Sequence, residues 1–142
     1  MLIGKFYHNL EGNGRISLPK KFRETSKSWV ITRGLDGCLF LLPKETFQSE
    51  LNKINEVGFS KKANRDLVRL MTNEATELVV DSNGRINLPD YLIAYAQLKK
   101  AVVIVGSLNR IEIWDLERYH HYLDQLESKA ETIAEQAYVA EK

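Results

Sequence analysis

Runs of β-branched residues and helically spaced apolar positions divide the chain into two halves of the same design. Ser28-Trp29-Val30-Ile31-Thr32-Arg33-Gly34 and Lys100-Ala101-Val102-Val103-Ile104-Val105-Gly106 both stop at glycine and predict buried strands. Each leads into a second apolar run, Cys38-Leu39-Phe40-Leu41-Leu42 and Arg110-Ile111-Glu112-Ile113-Trp114, so both strands are expected to turn back. The stretches Pro43 to Leu51 and Asp115 to Leu123 then share helical spacing, with Phe47 and Tyr119 at matching places. Ahead of the strands, Lys20-Lys21-Phe22-Arg23 and Asp90-Tyr91-Leu92-Ile93 read as short helices opened by Pro19 and Pro89. Proline's missing N–H costs nothing at a helix's first position. The unit written twice is strand, turn, strand, short helix, strand, turn, strand, helix.

Between the halves, Ser60 to Asn73 places Ala63, Leu67, Leu70 and Met71 at helical spacing, which predicts a packed connecting helix. Ser128-Lys129-Ala130-Glu131 has capping-box spacing, and Ile133, Ala134, Ala137 and Tyr138 mark an apolar stripe. A last helix is therefore expected from Ser128, its stripe available to another subunit. A strand pair of this length does not stand alone, so the two copies are expected to bury their apolar faces against each other. The organisation that follows is a first half at 1–57, a connecting helix at 58–74, a second half at 75–124 and a C-terminal helix at 125–142. Internal pseudo-twofold symmetry is the natural outcome.

The repeat is sharpest where the chain turns. Glu11-Gly12-Asn13-Gly14-Arg15-Ile16-Ser17-Leu18-Pro19 returns as Asp81-Ser82-Asn83-Gly84-Arg85-Ile86-Asn87-Leu88-Pro89, with six of nine positions identical. Asn13-Gly14 and Asn83-Gly84 tolerate positive φ, so each arginine leaves a tight turn at a fixed angle. The acid four residues earlier is placed to brace that guanidinium. Two arginines on equivalent turns make a symmetric basic device of the kind that reads duplex DNA. A planar guanidinium so held can take a phosphate, or the O6/N7 edge of guanine, through two hydrogen bonds.

Charge qualifies this reading. Twenty basic against nineteen acidic residues leave a formal charge of +1, so a nucleic-acid role must rest on a local patch. Such a patch exists around the first motif, where Lys20, Lys21, Arg23 and Lys27 outnumber Glu11 and Glu24, an excess suited to phosphate contacts. The second motif has little beyond Arg85. With 142 residues the chain fits one domain or two intimately packed halves. The lone Cys38 excludes an intramolecular disulfide and a Cys-cluster zinc site, which fits a reducing, cytosolic setting. The longest apolar runs, Ala101 to Val105 and Leu39 to Leu42, are strand-sized, so no leader peptide and no membrane segment are expected.

Taken together, the paired acid-x-x-x-Arg signatures at Glu11 to Arg15 and Asp81 to Arg85, the Ile-x-Leu-Pro after each, and Val105-Gly106-Ser107-Leu108-Asn109-Arg110-Ile111-Glu112-Ile113-Trp114-Asp115 resemble the MraZ family, over nearly the whole chain. The resemblance implies an α+β fold of two pseudo-symmetric SpoVT-AbrB-type swapped-hairpin units, which form one β-barrel-like core with flanking helices. It implies a cytoplasmic, nucleoid-associated transcriptional regulator that binds short direct repeats in double-stranded DNA upstream of the division and cell-wall gene cluster. A ring-like homo-oligomer is implied as well. The family's first motif usually opens with aspartate, where Glu11 stands here. Arg15, Arg85, Lys20, Lys21 and Arg23 are the expected DNA contacts, and Glu11, Asn13, Gly14, Asp81, Asn83 and Gly84 the residues that shape the turns.

Plainer readings stand beside these. An acid and an arginine bracketing an Asn-Gly turn also serve simply to pin a hairpin. The same turns could serve only subunit packing in an assembly protein, or belong to an antidote-like partner of another protein, though the latter calls for a poorly ordered tail. The charges of Lys61, Lys62, Arg65 and Arg69 read as a solvated helix face. His120 and His121 are adjacent on a helix, so they point about 100° apart and cannot share one metal. His8 has no acid or thiol at ligand spacing, and Cys38, Trp29, Phe40 and Trp114 read as core. With no phosphate-binding glycine loop, nucleophile elbow or His-Glu-x-x-His pattern, no catalysis, cofactor, metal or small-molecule substrate is expected.

Overall fold

In a computed structural model that describes residues 1–139, the repeated unit is built twice. The first copy comprises β1 (Leu2–Asn9), β2 (Arg15–Ser17), α1 (Lys20–Arg23), β3 (Ser28–Arg33), β4 (Leu39–Pro43) and α2 (Lys44–Gly58). After α3 (Lys62–Asn73) the second copy follows as β5 (Thr76–Val79), β6 (Arg85–Asn87), α4 (Asp90–Tyr95), β7 (Ala101–Leu108), β8 (Ile111–Asp115) and α5 (Leu116–Glu127), and α6 (Ala130–Val139) comes last. Among the described residues the fold is mixed, six helices around an antiparallel six-stranded sheet in the order β1-β7-β8-β4-β3-β5, with a separate two-stranded ribbon of β2 and β6.

Strand pairing ties the copies together. β1 pairs with β7 from Leu2↔Leu108 to Asn9↔Ala101, and β5 pairs with β3 from Ser28↔Val79 to Ile31↔Thr76. Each half thus gives its first strand to the third strand of the other. At mid-sheet β4 meets β8 with Phe40 opposite Glu112, and in the ribbon Ile16 lies opposite Ile86. The hydrogen-bonded order has two ends, β1 and β5, so the core is a sheet covered by the ribbon and not a closed barrel of paired strands. The reason is local: beyond the turns, β2 and β6 bond to each other.

The main core lies between sheet and ribbon. Ile16, Phe22, Trp29, Ile31, Leu39 and Leu41 from one half meet Ile86, Leu92, Val102, Ile104, Ile111 and Ile113 from the other. A smaller cluster on the sheet's opposite face gathers Cys38, Val103 and Trp114 under Leu116, Tyr119 and Tyr122 of α5. Trp29 and Trp114 are buried as expected, whereas Phe40 is half-buried with the Arg110 guanidinium 4.8 Å from its ring centre.

Two helices differ from expectation in how they pack. The connector α3 is helical but buries no residue: Leu67 and Met71 are half-buried, while Ala63 and Leu70 face solvent. Its N-terminal part rests on the end of α2, with Asn64 against Gly58, and its C-terminal end is tied to the sheet, where Thr32 Oγ1 donates to the Met71 carbonyl at 2.7 Å. Ser128 ends α5 and does not cap α6, because its hydroxyl donates backward to the Gln125 carbonyl at 2.9 Å. Ile133, Ala134 and Ala137 of α6 are exposed, and the Tyr138 side chain lies outside the described residues.

Candidate nucleic-acid interface

Each repeated turn is closed by its own backbone. Glu11 N–H donates to the Arg15 carbonyl and Asp81 N–H to the Arg85 carbonyl, both at 2.9 Å. Gly14 and Gly84 donate back to the Glu11 and Asp81 carbonyls at 2.9 and 3.0 Å, with φ of +82° and +77° that favour glycine. The side chains differ between the turns. Asp81 Oδ1 accepts from Asn83 N–H at 2.8 Å and from Arg85 N–H at 2.9 Å. These bonds, Arg85's foremost, together with the nearby Arg15 and Arg85 charges, hold the Asp81 carboxyl below the usual carboxylate range against a smaller opposing effect of desolvation. In the first turn that place is taken by Asn13, whose Oδ1 accepts from Arg15 N–H at 3.2 Å.

Glu11, one methylene longer than aspartate, does not brace its own arginine. Its Oε2 accepts from Arg85 Nε at 2.7 Å, across the halves. Both partners are partly solvated, so the pair contributes only about 0.2–1 kcal/mol to stability, and its main effect is to orient Arg85. Asp81 likewise serves its own backbone. Neither acid therefore holds the guanidinium of the arginine four residues after it. Among the described residues Arg15 forms no ion pair, and its side chain is exposed.

The ribbon brings both arginines to one surface. Arg15 pairs with Asn87, Ile16 with Ile86 and Ser17 with Arg85. The ladder continues as Leu18 N–H donates to the Gly84 carbonyl at 2.9 Å and Leu88 N–H to the Gly14 carbonyl at 2.8 Å. Because side chains alternate across a strand, Ile16 and Ile86 turn to the core at 0% and 1% exposure, and Arg15, Ser17, Arg85 and Asn87 share the opposite face. Arg15 and Arg85 are diagonal neighbours there, a relation that sets the two positions about 7–8 Å apart and their β-carbons somewhat closer. Lys20 and Lys21 are exposed on α1. Arg23, at the end of that helix, crosses to the other half: a Cβ at Gly84 would overlap its guanidinium. Its counterpart Ile93 lies against Gly14 in the same way, 3.5 Å from where a Cβ would stand.

The repeat that shapes this surface is matched copy by copy by a single family model. A family model described as "MraZ protein, putative antitoxin-like" matches residues 1–70 and again 71–140. The chain belongs to the MraZ family. It is 42% identical over 135 residues to "Transcriptional regulator MraZ" of Halothermothrix orenii, covering 94% of both chains. The proteins of the same name from Natranaerobius thermophilus and Pediococcus pentosaceus are 41% and 40% identical, with 96% and 95% of both chains covered.

Elsewhere in this MraZ-family chain the candidate groups are engaged in structure. Asp66 takes Lys62 at 2.6 Å and Arg69 at 3.0 Å, so these three charges of α3 satisfy one another, while Arg65 donates to the Phe59 and Ser60 carbonyls just before the helix. His120 stacks on Tyr7 with ring centres 6.1 Å apart, and His121 Nε2 meets Gln125 Nε2 at 3.2 Å. Burial pushes the Cys38 thiol up, with Glu112 and Asp36 adding to the effect, which makes it a poor nucleophile. Among the described residues no three His, Cys, Asp or Glu side chains converge on a metal-sized site, and no helix is long and apolar enough to cross a membrane.

Proposed function

We propose that the chain is a DNA-binding transcriptional regulator whose β2–β6 ribbon enters the major groove. One observation carries this reading: both motif arginines stand on the outward face of a single two-stranded ribbon whose inward face is wholly apolar. B-DNA's major groove admits such a ribbon. Arg15 and Arg85 touch the DNA centrally, and Lys20, Lys21 and Arg23 provide phosphate contacts at the edge. The names of the relatives support the regulatory role. In this reading the exchange of β1 and β5 is the swapped-hairpin arrangement of SpoVT-AbrB-type units, and the protein works in the cytoplasm at the nucleoid.

A single ribbon touches few phosphates, so useful affinity calls for several copies bound together, where later contacts become intramolecular. The exposed apolar positions Leu126 and Ile133 near the chain's end support self-association, and the family resemblance supports a ring on short direct repeats upstream of division and cell-wall genes.

A gel shift on the duplex upstream of the chain's own gene tests the proposal. Replacing Arg15 or Arg85 by alanine should weaken binding roughly 5- to 150-fold, the span of one good base contact, while the melting temperature stays close to that of the parent. Affinity should also fall steeply with salt. If binding ignores salt, or if both variants bind as well as the parent, the ribbon is not the DNA surface. If the same variants instead alter mass in light scattering with retention on DNA unchanged, the turns serve subunit packing.

A further inference from the structure

Resting on that reading, we infer that Ser17 and Asn87 make the ribbon directional, so that it reads a non-palindromic box in which Asn87 selects adenine. Two strands related by a twofold axis present the same chemistry at both ends, and identical ends select a palindrome. Here the cross-strand pairs are Arg15 with Asn87 at one end and Arg85 with Ser17 at the other. The first end offers a guanidinium that has no ionic partner among the described residues, beside an exposed carboxamide. Asn87 Oδ1 lies only 3.4 Å from where a Cβ at Gly14 would stand, which places the amide against the first turn, next to Arg15. Arginine matches guanine O6/N7 and asparagine matches adenine N6/N7, each through two hydrogen bonds. That end is equipped for two adjacent bases.

The other end is equipped for one. Arg85 commits Nε to Glu11, which leaves its two terminal Nη groups as donors, enough for an end-on grip of one guanine. Ser17 has a single hydroxyl, which both donates and accepts and so bonds to any base. Both departures from symmetry, Glu11 for aspartate and serine against asparagine, favour the Arg15–Asn87 end.

Selection by the full-length protein from a synthetic duplex library with forty random base pairs decides the matter. The parent should enrich a box with a guanine-adenine step at one end and guanine followed by no preference at the other. Asn87→Ser should lose the adenine, with discrimination there falling roughly 5- to 150-fold. Ser17→Asn should create an adenine preference at the second end, so that the selected box becomes a palindrome. Both positions lie on the solvent face, and thermal melting within about 2 °C of the parent would certify the folds. Should parent and Asn87→Ser enrich the same bases, directional readout by these side chains is wrong although DNA binding stands. Should the parent retain no duplex even at low salt, the DNA reading itself fails.

Discussion

At the scale of single residues, equivalent positions do unequal work. Asp81 spends its carboxylate on Asn83 and Arg85 N–H groups, whereas Glu11 reaches past its own turn to Arg85. The Asp81 carboxyl is held low, so it steadies the fold wherever it is ionised. That contribution is complete above the usual carboxylate value near 3.8 and fades as pH falls through the lower value of the folded state. Asp81→Asn should therefore melt below the parent by a constant margin between pH 5 and 7, and the gap should close below about pH 4. A gap unchanged down to pH 2 would show that the charge is irrelevant. Gly84 is bound by both backbone and neighbour. An alanine there adopts a disfavoured φ, costing about 1–2 kcal/mol, and pushes the Arg23 guanidinium aside. Calorimetry should record a drop of roughly 2–8 °C for Gly84→Ala, and DNA affinity should fall with it.

At the scale of elements, the ribbon depends on its two buried isoleucines. Ile16→Ala or Ile86→Ala should each destabilise by about 2–5 kcal/mol in urea titrations, as truncation of a fully buried Ile does, and should weaken DNA binding by loosening both arginines at once. A loss under 1 kcal/mol would mean the ribbon is not held by its inner face. The elements themselves are largely legible: β3 comes from a β-branched run that stops at Gly34, and α2 and α5 from helical spacing, whereas β7 runs on through its expected stop at Gly106 to Leu108, because Gly106 lies opposite Gly4 and the pairing with β1 continues past it. Those two helices run on to Gly58 and Glu127, beyond the Leu51 and Leu123 where the apolar spacing was followed, because their last turns carry mostly exposed residues. Partner choice was not legible, since alternation within β1 or β5 says which face is buried and not which strand lies alongside. The motif arginines were found because they repeat. Ser17 and Asn87 differ between the copies and so stand out less, although period-two alternation about Ile16 and Ile86 places them on the arginine face. Arg23's reach to Gly84 follows only from the way the halves cross.

At the scale of the whole molecule, exchange of first strands makes the halves a single cooperative unit. Denaturant should unfold the chain in one transition by both circular dichroism and tryptophan fluorescence, with Trp29 and Trp114 reporting on opposite faces of the sheet. A fragment of residues 1–58 lacks a partner for β1 and β2, and should fold only by pairing with a second copy of itself, giving twice its mass in light scattering. A folded monomeric fragment would contradict the exchange. In such a homodimer any altered codon would show up twice, once on each side of the axis. Joining the halves through α2 and α3 removes that constraint, so left and right grips can be tuned one at a time, and an operator with a beginning and an end can be matched by a protein that has them too.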